Sequence, residues 1–274
     1  MCKYLLAYAF VLLSERLPRL AEQSGLADPS IVVIDLAAAG ADGRRNGWSD
    51  YQSDRAISPA SMIKLPIAAA LSARWAAGAS SPAAPVTIEP ANMTANDAAS
   101  PLLPGYRSSE GELGRLMLTR SDNVATNTLI DLLRREQINA YAQRLGLGAT
   151  ALRRKLSGSL PLIDDPESTG RNAHPAADCA TLLEAIARGT IAGASWLHQT
   201  LAAQEWNEKL SRGLRPGDRF AHKTGDTDEV THDGGILETS EGRRYVVVVY
   251  TGLPSHARHD ERLRAFMEAL RPHL

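Results

Sequence analysis

Two hydrophobic rhythms alternate along this chain, and the rhythm changes twice. Near the start, "SIVVIDLAAAG" (30–40) is a Val- and Ile-rich run that ends in small residues before "ADG", and it reads as a strand. "GWSDYQSDRAIS" (47–58) reads as its hairpin partner. Helical character then dominates over 61–77, 109–119, 123–134, 136–145, 175–188 and about 194–211, with loops of Pro, Gly, Asn and Asp between. Strand character returns in "DRFAHKTGD" (218–226), "DGGILETS" (233–240) and "RRYVVVVYTG" (243–252), the last two joined by the turn "SEG" (240–242). "ARHDERLRAFMEALRPHL" (257–274) predicts a closing helix. The opening stretch predicts a first amphipathic helix reaching about Gln23. Its apolar residues 4–13 are too few to span a bilayer and lack a convincing signal-peptide cleavage site.

Strands at both ends and helices in the middle predict an α+β fold. Sequential hairpins imply an antiparallel sheet. The simplest packing is one five-stranded sheet built from both ends and covered by the terminal helices. Residues 1–57 and 212–274 would then form an α/β subdomain, and 58–211 an inserted all-α subdomain. Ligand sites favour such a boundary, so the active site is expected between them.

Composition narrows the function. The chain has 274 residues, enough to bury a sizeable core. Its 30 Lys+Arg against 31 Asp+Glu leave no electrostatic footprint for nucleic acid or an anionic membrane. Aromatics at 5% leave little for stacking bases. Cys2 and Cys179 show no metal-ligand spacing, and Cys179 reads as a small core filler in a helix.

Against that background, "ISPASMIKLPIAAALSARWAAG" (57–78) is unusual. A hydroxyl, Ser61, and an ammonium, Lys64, open a segment that is otherwise apolar. Three residues on a helix rise about 4.5 Å, so both side chains share one face. Serine is a poor nucleophile until a neighbour takes its proton. Lys64 can do so only when neutral, which requires its pKa to fall by about 3 units from about 10.4. Apolar burial and a nearby second cation would supply that shift. An isolated S-x-x-K pair nevertheless arises by chance about once in a chain of this length.

Two further motifs change the weight of the first. Ser121-Asp122-Asn123 lies between two helical segments, where all three residue types also suit a helix N-cap. Ser121 there could relay a proton to a leaving nitrogen, and Asn123 could orient substrate and Lys64. Lys223-Thr224-Gly225 ends an apolar strand. Its lysine and threonine suit an anionic group, and its glycine suits close approach of substrate to the strand. All three motifs in this order should arise by chance well under about once in a thousand chains.

With these residues the chain resembles a class A β-lactamase-related serine hydrolase from about residue 30 to 253. "IVVIDLAAAG" is similar to that family's first strand, "SPASMIKLPIAAAL" to its nucleophile helix, "LMLTRSDNVATNTLIDLL" to its second motif and "AHKTGDT" to its third. The resemblance implies an acyl-enzyme on Ser61, with Lys64 and Ser121 moving protons. It implies substrate binding by Asn123, Lys223, Thr224 and Gly225. It also implies an oxyanion hole from the backbone N–H groups of Ser61 and Asp226. A small β-lactam or peptide-like amide substrate, a monomer, and no metal or cofactor follow from the same resemblance, as does a periplasmic or secreted location.

The chain departs from the family at several places. "GGILETS" (234–240) has no arginine to bind a substrate carboxylate, and His222 and His232 with Asp233 are unusual for the family. The usual loop signature is Glu, two residues, Leu and Asn; here "LRRKLSGSLPLIDDPESTGRNAHPAAD" offers Asp164, Asp165 and Glu167 out of that register. Glu167 is the candidate deacylation base. Asn172 stands where an acid would close the loop on Arg153 or Arg154. Asp226 replaces a small neutral residue and would weaken anion recognition by Lys223 unless it is paired. Acylation is therefore better supported than deacylation. A β-lactamase-type hydrolase leads. A D-Ala-peptide amidase, peptidase or acyl-transferase, and a non-turnover sensor or binding homologue, are the alternatives.

Overall fold

The computed structural model describes residues 2–37 and 47–274, with side chains from Leu13 onward in those ranges. The expected first strand runs past this limit, so its residues 38–40 lie outside the described residues. The chain opens with α1 (Cys2–Gln23), β1 (Ser30–Asp35) and β2 (Trp48–Tyr51). A 3-10 turn over Ala60–Ile63 leads into α2 (Lys64–Ala76). A short ribbon of β3 (Pro85–Thr87) and β4 (Arg107–Ser109) follows, then α3 (Glu110–Thr119), α4 (Asn123–Leu133) and α5 (Arg135–Arg144). A long loop precedes α6 (Ala176–Arg188) and α7 (Ala194–Ala202). The chain closes with β5 (Arg219–Asp226), β6 (Thr231–Glu238), β7 (Arg244–Thr251) and α8 (Ala257–Leu270).

Five strands form one antiparallel sheet in the order β2-β1-β7-β6-β5, as the pattern of the two chain ends predicts. The period-two rule sorts its side chains into two cores. Val32, Ile34, Ile236, Val246 and Val248 face the helical middle of the chain, packed with α2, α4 and α6. Ile31, Val33, Leu237, Val247 and Val249 face the terminal helices, against Leu17 of α1 and Phe266 and Met267 of α8. β7 is buried at every position after Arg244, which places it at the centre of the sheet. β5 is an edge strand, unpaired by another strand on one side, although its residues from Ala221 to Gly225 are buried.

Three helices differ from the sequence expectation, and each difference has a local cause. The closing one, expected over 257–274, stops at Leu270 and passes into a 3-10 turn over Arg271–His273, where Pro272 ends the α-helical ladder. The helix expected from residue 61 begins at Lys64. Pro66 has no N–H to donate, which suits the first turn of a helix and no later one. Ala60, at φ +46°, bars α-helix upstream. The helix expected over 194–211 stops at Ala202. There the side chain of Gln204 takes over: its Oε1 accepts from Glu205 N at 3.0 Å and Trp206 N at 3.1 Å, replacing the carbonyls a helix would supply. The β3–β4 ribbon was not expected from sequence.

Candidate active site

The 3-10 turn puts Ser61 and Lys64 in register, because residues three apart eclipse one another in that geometry. The turn is held from three directions. Met62 is fully buried beneath it. His232 Nε2 donates to the Ser58 carbonyl at 2.7 Å. Gly225 of β5 lies against its back: a Cβ there would stand 3.1 Å from Met62 Cγ and 3.2 Å from the Pro59 carbonyl oxygen. The glycine of the third motif is thus required by the nucleophile's turn, whatever a substrate needs of it.

Lys64 is fully buried, and its Nζ meets the second motif. It lies 3.0 Å from Ser121 Oγ and 2.8 Å from Asn123 Oδ1, and it also donates to the Ser121 carbonyl. Asp122 supplies the N-cap of α4, its Oδ1 accepting from Ala125 N at 2.8 Å. That division of labour leaves Ser121 and Asn123 facing the lysine. Ser121 adopts φ +59° and Ala60 φ +46°, so both serine-bearing turns carry a left-handed non-glycine residue, at about 1–3 kcal/mol each.

Burial lowers the pKa of Lys64 well below the usual lysine range, and the charge of Lys223 lowers it further. Asp122 and Asp97 oppose the shift. Lys223, on β5, is fully buried and donates to the Thr224 carbonyl at 2.8 Å. Burial brings its pKa down to about 7, with Asp226 opposing and Lys209 assisting. Thr224 and Gly225 continue along the same edge strand, followed by Asp226. Asp226 is paired: Lys209 Nζ reaches both of its oxygens at 2.6 Å, and Thr231 Oγ1 donates at 2.8 Å. Burial alone would raise the Asp226 pKa, but Lys209 and these donors hold it below the usual carboxylate value.

The loop expected to carry a base is built differently. Glu167 is not among the side chains that meet Lys64. Its carboxylate pairs with Arg135 Nη1 at 2.9 Å, and its side chain is 81% exposed. Asp165 takes the other guanidinium nitrogen of Arg135 at 2.5 Å and accepts from Lys155 N at 2.7 Å. Asn172 closes the loop with an amide: its Oδ1 accepts from the backbone of Arg153 and Arg154, and its Nδ2 donates to the Arg154 carbonyl. Asp164 is exposed. Leu160, the most exposed large apolar residue of the loop at 81%, lies two residues from Gly158, whose N donates to Thr94 Oγ1 at 3.1 Å.

One side of the Lys64 cluster has no motif to announce it. Asn123 Nδ2 donates to the Ala95 carbonyl at 3.1 Å, and Asn123 N donates to Asn96 Oδ1. The next residue, Asp97, is exposed, and its charge acts on both Lys64 and Lys223. Among the described residues, no group of three His, Cys, Asp or Glu side chains is arranged to hold a metal.

A sequence model described as the β-lactamase enzyme family matches residues 12–270. The chain belongs to that family. No curated protein matches it in sequence. Its structure is similar to that of PBP-A, at 25% identity and TM-score 0.79, with 95% of each chain covered. It is also similar to an acyl-enzyme complex of a PBP-A mutant with penicillin G, at 24% identity and TM-score 0.81, with 96% of each chain covered. A mutant of the reconstructed last common ancestor of Gram-negative class A β-lactamases matches at 25% identity and TM-score 0.80, over 95% of this chain and 97% of that one. This family member therefore has the fold of a class A β-lactamase-like serine hydrolase.

Proposed function

We propose that this protein opens β-lactam or related amide bonds through an acyl-enzyme on Ser61, and that it releases the acyl group slowly. The observation that carries this reading is the Lys64 cluster: a fully buried lysine of strongly lowered pKa, held between Ser121 Oγ and Asn123 Oδ1, one 3-10 turn from a partly exposed serine.

In the steps of this reaction Ser61 is placed by the shared 3-10 turn and not by a hydrogen bond to Lys64, whose hydrogen-bond partners are Ser121 and Asn123. Neutral Lys64 takes the proton of Ser61 as the serine attacks the carbonyl carbon. The developing oxyanion meets the backbone N–H groups of Ser61 and Asp226, where each donor typically contributes about 3–4 kcal/mol. The proton passes from Lys64 to Ser121, 3.0 Å away, and on to the leaving nitrogen. Charged Lys223, with Thr224, binds an anionic group on the substrate, which lies along the strand-unpaired edge of β5. Asn123 Oδ1 orients Lys64, and its amide bridges to the Ala95 flank.

Release is the weak step. Asp165 and Glu167 both pair with Arg135, Glu167 and Asp164 are exposed, and none of the three is among the hydrogen-bond partners of Lys64. Without a general base the acyl-enzyme loses about 10²–10⁴ in hydrolysis rate. Slow release argues against a fast β-lactamase and fits an acyl-transferase with an amine acceptor or a non-turnover penicillin-binding homologue. Intact-mass spectrometry with penicillin G, followed in time, tests the reading. The expected result is a stoichiometric adduct mapped to the Ser61 peptide, absent in Ser61→Ala and decaying slowly. No adduct, or an adduct that survives Ser61→Ala, overturns it.

A further inference from the structure

The stretch Gln204–Asn207, where the expected helix fails, ties the two walls of the cleft together. Gln204 is 6% exposed, and its amide has every hydrogen-bonding position filled. Its Nε2 donates to the Leu118 carbonyl at 3.0 Å, in the last turn of α3 before Ser121, and to the His222 carbonyl at 3.3 Å, one residue before Lys223. Its Oε1 fixes the backbone of Glu205 and Trp206.

The same stretch grips both walls at its neighbours. On the Ser121 side, Glu205 N donates to the Thr119 carbonyl at 3.0 Å, Trp206 Nε1 donates to the Arg120 carbonyl at 3.2 Å, and the Glu205 carboxylate pairs with Arg120 at 3.4 Å. On the Lys223 side, Asn207 Oδ1 lies 3.0 Å from His222 Nε2, and His222 Nδ1 lies 2.7 Å from Asp233 Oδ1. Asp233 Oδ2 in turn accepts from Leu210 N at 3.0 Å, which anchors the far end of the stretch. The Ser121 turn follows α3 and Lys223 lies on β5, remote in sequence, and the Gln204 side chain bonds to the backbone of both elements, at Leu118 and His222.

We propose that Gln204 is a positioning residue for the acylation site, holding the Ser121 turn and the Lys223 strand at the separation the reaction requires. The inference rests on the reading of Ser61 and Lys64 given above. Its consequence is electrostatic. The charged groups acting on Lys64 are Lys223 from β5, Asp122 from the α4 cap and Asp97 from the 94–97 flank. Those acting on Lys223 are Asp226, Lys209, Asp233 and Asp97. If the walls separate, Lys223 moves away from Lys64 and water reaches both. Each change raises the pKa of Lys64, because burial and Lys223 are the two causes that lower it.

The test uses the full chain with Gln204→Met, which keeps length and loses all four hydrogen bonds. A second variant, Gln204→Glu, keeps the acceptor for Glu205 and Trp206 and loses both donors. The titration of Lys64 is followed by NMR on protein labelled at lysine Cε, the signal being assigned by its loss in Lys64→Met. Acylation by penicillin G is measured across pH, with thermal unfolding as control. The expected result is a Lys64 midpoint raised by about half a pH unit or more, and an acylation rate constant lowered about tenfold with its acid limb shifted the same way. An unchanged Lys64 midpoint in a folded variant overturns the proposal, even where the melting temperature falls. Should the wild-type protein form no adduct, the reading of Ser61 fails by itself, while the Lys64 midpoint still decides the role of Gln204.

Discussion

Asp226 gives both carboxylate oxygens to one ammonium, that of Lys209, at 2.6 Å each. The pair resolves the most awkward feature of the third motif. A free carboxylate three residues after Lys223 would compete with an anionic substrate. Neutralised by Lys209, the Asp226 side chain is held in a part-buried pair, which leaves its backbone N–H free of that charge for the oxyanion role proposed above. Lys209 also donates to the His232 carbonyl at 3.2 Å, which fixes it on β6.

Lys209→Met should uncover that charge. Removing one partner of a fully buried pair costs about 3–5 kcal/mol; with Asp226 24% exposed the cost should fall below that range, and the melting temperature should still drop. The pKa of Lys223 should rise above its value of about 7, because Lys209 lowers it and Asp226 raises it. Acylation of an anionic penicillin should slow, since the exposed carboxylate opposes its binding. Adding Asp226→Ser should recover much of the lost stability, as removing both partners of a pair is often close to neutral. A double variant no more stable than Lys209→Met alone would show that the pair is not the stabilising unit.

The two active-site lysines predict a bell-shaped pH profile for acylation. The rate rises with pH as Lys64 becomes neutral and falls as Lys223 loses its proton, near pH 7 in the free enzyme. Lys223→Ala should cost about 10–100-fold, the equivalent of one hydrogen bond to a charged group. It should also move the acid limb to higher pH, because a neighbouring cation is one cause of the low Lys64 pKa. Asp97→Asn should move the same limb to lower pH, because Asp97 raises that pKa. Second-order acylation constants measured from pH 4 to 9 read both shifts, and limbs that stay in place would remove the coupling between these groups.

Gly225→Ala should damage the nucleophile through its support. The new Cβ would press on Met62 Cγ at 3.1 Å and the Pro59 carbonyl oxygen at 3.2 Å. Overpacking of this kind costs about 1–3 kcal/mol, and a small shift of the turn costs up to about 10²-fold in rate. Gly235→Ala should be worse for folding, because its Cβ would stand 2.4 Å from the Ala221 carbonyl oxygen inside the sheet. Thermal unfolding and acylation rates together separate the two effects.

What the sequence reveals depends on how local the cause is. Val-rich β7 declares itself because each residue's preference and the sheet's demand agree. The motifs around Ser61, Ser121 and Lys223 are legible because chemistry fixes their spacing within a turn or a strand end. Gln204 is not legible: "ASWLHQTLAAQEWNEKL" has helical character throughout, and only tertiary contacts with Leu118 and His222 make its side chain break the helix. The partner of Asp226 is hidden for the same reason, since Lys209 lies in the irregular stretch before β5. Asp97 carries no signature at all; its place follows from Asn123 holding the Ala95 carbonyl and the Asn96 side-chain amide beside it.

The long loop yields the last prediction. Glu167 was the candidate base from sequence, and its carboxylate lies on Arg135 with the side chain 81% exposed. Glu167→Gln should therefore leave the slow release of a penicillin adduct unchanged and alter stability by less than about 1 kcal/mol, as exposed ion pairs do. Asp165→Asn differs. Asp165 and Arg135 are 7% and 8% exposed, and the carboxylate also accepts from Lys155 N. Breaking that pair should cost about 3–5 kcal/mol and loosen the loop beside Leu156, whose backbone is held by Asn127 at 2.8 and 2.9 Å. Adduct decay followed by mass spectrometry, alongside thermal unfolding, distinguishes the two. A slow phase that disappears in Glu167→Gln with stability intact would mean that Glu167 leaves Arg135 and serves as the base in the acyl-enzyme.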